Sequence, residues 1–189
     1  LTLSQRSNSV SPMHIPVSVG LIDKETGKEV LATQVLELRE DEQTFTFDNL
    51  QGDVVPSILR DFSAPVKLVP ASGVEDETAL AFLAAYDTDG FNKWEAGQKL
   101  YTSAILQSMD MSLSDATAEF VYEAFGNTLV DKETTDYSIQ AYALTLPSES
   151  TLAEQVDVVD PVAIRKARGS VKKAIARKFQ EQLKQRYDE

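Results

Sequence analysis

The stretch PSILRDFSAPVKLVP (residues 56–70) is followed a few positions later by DETALAFLAAYDTDGFNKWEAGQKL (76–100), and the fold turns on the change between them. The first reads as two short extended segments around a turn. In the second, Leu80, Leu83 and Ala84 recur three and four positions apart, the spacing of one face of a helix. Between them, VPASGVEDE (69–77) carries Pro70, Ser72 and Gly73, which break either pattern, and acidic residues that suit a helix first turn. We therefore place a boundary at residue 70, with an antiparallel β-sandwich over 1–70 and a helical domain over 71–189.

Toward the N-terminus the period is two. HIPVSVGL (14–21) puts Ile15, Val17, Val19 and Leu21 on one face of a strand, and VLELRE (35–40) alternates Leu36 and Leu38 with charge. QTFTFDNL (43–50) aligns Phe45 with Phe47, and APVKL (64–68) aligns Val66 with Leu68. Asp23–Gly27 has turn chemistry, with Gly27 free to take positive φ. Leu1 and Leu3 look like the remains of a further strand. Short strands at intervals of roughly 8–12 residues predict an Ig-like sandwich.

Toward the C-terminus the sequence predicts consecutive short helices. Asp87 or Asp89 caps one that carries Phe91, Trp94 and Leu100, and Ser114 caps one that carries Val121, Phe125 and Leu129. TTDYSIQAYALTL (134–146) ends at Pro147, and SESTLAEQVDVV (148–159) is a shorter helix. Asp160-Pro161, a cap followed by proline at the first helical position, opens the last, with Ile164, Val171, Ile175, Phe179 and Leu183 at helical spacing. Short links between such helices predict helical hairpins or a solenoid of ARM/HEAT type.

Composition narrows the chemistry. The chain has 189 residues, no cysteine and one histidine, His14. Disulfides and thiolate chemistry are excluded, and one imidazole is too few for the usual catalytic zinc. His14 stands before Ile15-Pro16 at a strand start and is read as an exposed strand-end residue. No apolar run reaches the ~20 residues of a membrane span. The net charge of −12 is uneven: residues 165–189 hold nine cations against three carboxylates, +6, which leaves −18 on residues 1–164. So acidic a body argues against general nucleic-acid binding.

Several constellations invite a functional reading and lack the specificity for one. In DTDGFNKWEAGQ (87–98), Asp87 and Asp89 match the first two ligands of a calcium loop. Phe91 then occupies the third ligand position, Asn92 replaces the required glycine and Gln98 the bidentate glutamate. The stretch is read as a loop of capping aspartates. The basic helix 161–187 is read as a solvated cationic face over a packed apolar stripe. The pairs Phe45/Phe47 and Phe91/Trp94 are read as core. The carboxylate clusters Glu40/Asp41/Glu42 and Glu75/Asp76/Glu77 belong to surface or capping contexts. No catalytic, cofactor-binding or metal-binding residue is assigned.

HIPVSVGLID, VLELREDEQTFTFDNL, VVPSILRDFSAPVKL, FNKWEAGQKL and VDVVDPVAIRKAR, in that order, resemble the bacterial alanyl aminopeptidases, the aminopeptidase N group of zinc metallopeptidases. RDFSAPVKL and FNKWEAGQ are the most specific of these. The resemblance implies a parent enzyme with a thermolysin-like catalytic domain, then a small β-sandwich and a large helical domain. This chain would be an internal piece holding the sandwich and the start of the helical domain. Its partners would be the parent's other domains and its peptide substrates, and its location the cytoplasm. The family's H-E-x-x-H zinc motif and G-x-M-E-N amine-binding motif are absent, so no family residue role transfers and zinc belongs to the parent. The resemblance implies a spacing and chamber-walling role, and a piece prone to self-association. The alternative is a stand-alone binding or scaffolding module whose basic C-terminal helix contacts an anionic partner.

Overall fold

A computed structural model of the chain describes residues 1–6, 11–69, 76–110, 114–132 and 136–188. It falls into two compact units. One comprises Leu1–Val74 with Tyr86–Asn92, the other Glu75–Ala85 with Lys93–Glu189. The breaking residues Pro70, Ser72 and Gly73 and the cluster member Glu75 lie outside the described residues.

The first unit is built from two antiparallel sheets. Strand β1 (Thr2–Ser4) pairs with β4 (Glu42–Thr44), while β2 (Ile15–Asp23) lies between β3 (Glu29–Leu38) and β5 (Val54–Ile58). The predicted alternation on β2 holds: Val17, Val19 and Leu21 join Leu36 and Leu38 in a core that Leu1, Leu3, Phe45 and Phe47 also pack against. The turn after β2 forms as read. Gly27 has φ +65°, its N–H donates to the Asp23 carbonyl at 2.9 Å, and the Asp23 carboxylate accepts from the Thr26 amide at 2.7 Å.

Two expectations fail here. Residues 64–68 form no strand. Val66 and Leu68 are exposed, and the Val66 amide bonds the Ala64 carbonyl, a local turn that leaves no ladder to join. Nor is β2 one-sided: Ser18, Gly20 and Ile22 on its other face are also buried. The chain after β5 covers that face.

Seven α-helices are present among the described residues: α1 (Glu77–Tyr86), α2 (Gly90–Asp110), α3 (Asp115–Val130), α4 (Tyr137–Ala143), α5 (Glu149–Ala153), α6 (Pro161–Lys178) and α7 (Gln180–Asp188). Four of them begin at side-chain caps, of which the sequence marked Ser114 and Asp160. Side chains of Ser114, Asp136, Ser148 and Asp160 accept from first-turn amides, and Pro161 follows its cap. The core of the second unit gathers Leu100, Tyr101, Ile105, Val121, Leu129, Leu152, Ile164, Val171 and Ile175. Burial raises the Tyr101 phenol well above its ordinary value.

The predicted face of α1 packs on the core but is broader than the spacing of Leu80, Leu83 and Ala84 suggested. Ala81, Phe82, Ala84 and Ala85 are buried, whereas Leu80 and Leu83 are only partly so. Small alanines permit close helix approach, so the leucines pack at the margin. The basic helix is also not continuous. It breaks at Phe179 (φ −109°, ψ 21°), whose ring packs against Phe125 with centroids 5.2 Å apart and beside Gly126.

Candidate functional site

The most organised polar cluster lies in the sheet unit and centres on Arg60. Its backbone setting is unusual: Leu59, Asp61 and Phe62 take φ of 62°, 54° and 52°, the left-handed region that non-glycine residues rarely enter. That path turns the Arg60 side chain back over β2, where it is 3% exposed. The Nε donates to Ser57 Oγ at 2.9 Å, Nη1 to Thr33 Oγ1 at 2.9 Å and to Glu29 Oε2, and Nη2 to Asp87 Oδ1 at 3.1 Å. The planar guanidinium, with donors pointing three ways, suits acceptors on β3, on β5 and in the loop before α2 in a way a lysine could not.

The acceptors are themselves held. Asn92 Nδ2 donates to Ser57 Oγ and to the Ile58 carbonyl, each at 2.9 Å. Thr88 Oγ1 donates to Glu29 Oε2 at 2.7 Å, and the Asp61 amide to Asp89 Oδ2 at 3.0 Å. Phe62 meets Phe91 edge-on at 5.6 Å. Burial pushes the Asp87 carboxyl above its ordinary value, against hydrogen bonds and Arg60 that pull it down. The Arg60 hydrogen bond holds the Glu29 carboxyl below its ordinary value.

The predicted candidates find their places around this cluster. Asp87 and Asp89 act in the loop before α2: Asp87 Oδ1 accepts from the Asp89 amide at 2.9 Å, and Asp89 Oδ1 caps Asn92 at 2.7 Å. Asp87 Oδ1 and both Asp89 oxygens are taken up by Arg60 and backbone amides, while Asp87 Oδ2 is buried without a hydrogen-bond partner. Phe91 is 39% exposed, a departure from the core reading explained by its seat on Phe62 at the surface. Trp94, in the helical unit, stacks on Tyr142 at 5.5 Å. His14 is exposed, its Nε2 3.8 Å from Glu37. Glu40, Asp41 and Glu42 are on the surface, whereas Glu77 is partly buried and accepts from Ser103 and Thr117.

Among the described residues no group of three His, Cys, Asp or Glu side chains could hold a metal ion. The described residues thus offer no set that fits the zinc the family resemblance implies, and no chemical step is derived through it. No helix among the described residues is long and apolar enough to cross a membrane. Sequence reasoning missed Arg60. Its only signal was a lone arginine between apolar Leu59 and Phe62, where nothing local hints at partners 27 to 31 positions away.

The helical unit offers two surface features. A shallow open groove of about 440 Å³ is lined by Leu129, Tyr137, Gln140, Ala141, Leu144 and Arg186. The outer side of α6 carries exposed Arg165, Lys166, Lys172, Lys173 and Arg177.

Known proteins resemble both units. Residues 1–71 match the family model described as a domain of unknown function (DUF3458) with an Ig-like fold, and residues 77–189 match the one described as DUF3458_C, ARM repeats. The chain is 34% identical to aminopeptidase N of Escherichia coli (strain K12), over 97% of this chain and 22% of that protein. It is 33% identical to aminopeptidase N of Caulobacter vibrioides, over 84% of this chain and 18% of that one. Among solved structures, Legionella pneumophila aminopeptidase A in complex with aspartic acid aligns with a TM-score of 0.75 and 27% identity, over 91% of this chain and 20% of that one. The chain thus spans about a fifth of the length of the proteins it matches.

Proposed function

Since the chain belongs to the family of DUF3458 domains, an Ig-like domain followed by ARM repeats, we propose that it is the non-catalytic structural portion of a zinc-dependent aminopeptidase that removes N-terminal residues from peptides. The observation that carries this is continuous similarity to aminopeptidases N across both units, at 34% identity over 97% of the chain. In this reading the β-sandwich spaces the catalytic domain from the helical array, and the helices help wall the active-site chamber. The zinc and the H-E-x-x-H motif belong to the parent's catalytic domain. The parent's remaining domains are this chain's partners, peptides are the parent's substrates, and the cytoplasm is where it works.

A buried guanidinium bonded to β3, β5 and the 86–92 segment supports the spacer role, because it ties a small sheet unit into one rigid body. The reading is tested by assaying an alanyl chromogenic amide, with zinc supplied, on the 189-residue chain and on the product of the whole open reading frame. Turnover by the longer product and none by the chain is expected. Turnover by the chain alone, or by neither, would overturn the proposal.

A further inference from the structure

Arg165, Lys166, Lys172, Lys173 and Arg177 of α6 are exposed, and none makes an ion pair with a carboxylate of the described residues. This is unexpected in a chain of net charge −12. The other two cations of the helix are used internally. Arg168 donates to the Pro147 and Leu146 carbonyls at 2.7 and 3.3 Å, and Lys178 sits 5.2 Å over the Tyr122 ring.

Helical periodicity sorts the five free cations into two rows. Arg165 and Lys172 are seven apart and form one; Lys166, Lys173 and Arg177 form the other. Between the rows the positions are small, Gly169 and Ala176, with Val162, 77% exposed, at the N-terminal end. A Cβ at Gly169 would meet nothing within 4 Å. The result is a shallow channel with a cationic wall on each side, about 18 Å long from residue 165 to 177 at 1.5 Å per residue.

We propose that this channel is a docking surface for an acidic helical segment of another polypeptide. A helix laid along it places its backbone over Gly169 and Ala176 and its glutamates against both walls, so charge and shape are complementary together. The five cations carry no exposed aromatic among them for base stacking. One exposed valine is too little apolar surface to anchor α6 in a bilayer. The inference does not depend on the peptidase reading.

The test is fluorescence anisotropy of a labelled helical Glu/Ala peptide titrated with the 189-residue chain, with short duplex DNA and phosphatidylserine vesicles in parallel. Binding is expected to weaken at least ~10-fold in about 1 M salt, where the screening length falls to about 3 Å. It should be lost in K166Q/K172Q/K173Q/R177Q. It should also weaken at least ~5-fold in G169L/A176L, which keeps every charge and fills the channel. Circular dichroism confirms that each variant folds; the leucine variant decides if the glutamine one does not. Peptide binding that both variants retain, no peptide binding at all, or tighter binding to DNA or vesicles would overturn the proposal.

Discussion

Arg60 lies directly on Gly20: a Cβ at residue 20 would stand 2.2 Å from the guanidinium carbon. Residue 20 is glycine because a side chain there would leave no room for the arginine. Gly20→Ala therefore displaces a side chain already bonded to four residues. A cost of ~1–3 kcal/mol is expected, the range for overpacking, and amide exchange along β2 should accelerate accordingly. Gly169→Ala, in the open, should instead stabilise α6 by ~0.5–1 kcal/mol in urea unfolding followed by Trp94 fluorescence.

Removing Arg60 leaves Asp87, with a side chain 0% exposed, as a buried charge without its cation. Arg60→Met should destabilise the sheet unit by ~3–5 kcal/mol in denaturant unfolding. Arg60→Lys should recover little, because one ammonium cannot serve Ser57, Asp87 and Glu29 at once. The double variant R60M/D87M should cost less than R60M alone. A double variant as unstable as the sum of the singles would show that the pair is not coupled.

The two carboxylates around Arg60 pull stability in opposite directions with pH. Glu29 has a lowered pKa, so its contribution is complete above the ordinary value of 4.5 and is lost as pH falls through the folded value. Asp87 has a raised pKa, so its contribution is complete below the ordinary value of 3.8 and is lost as pH rises through the folded value. On acidification the stability advantage of the wild-type chain over Glu29→Gln should shrink. Its standing relative to Asp87→Asn should improve. Parallel profiles for the two variants would contradict these assignments.

How much of this was legible follows from the range of each signal. Helix caps are local, so Ser114, Asp136, Ser148 and Asp160 sit at or near the starts the sequence marked. The apolar face of β2 is likewise a period-two pattern in nine residues. What the sequence hid is non-local or backbone-driven. Val66 and Leu68 alternate like a strand but find no partner edge, and left-handed residues at 59, 61 and 62 have no glycine to announce them. The role of Asp87 depends on an arginine 27 positions earlier, so its calcium-like spacing and its use as Arg60's counter-ion were indistinguishable in one dimension. The absence of H-E-x-x-H was plain, because one histidine cannot supply two.

The central claim, that this chain is the structural portion of a zinc aminopeptidase, is tested most directly by reading the source DNA upstream of the Leu1 codon. The account predicts that the open frame continues and encodes H-E-x-x-H together with G-x-M-E-N. A start codon or a cleavage signal immediately before Leu1 would contradict it and make the chain a protein that acts on its own.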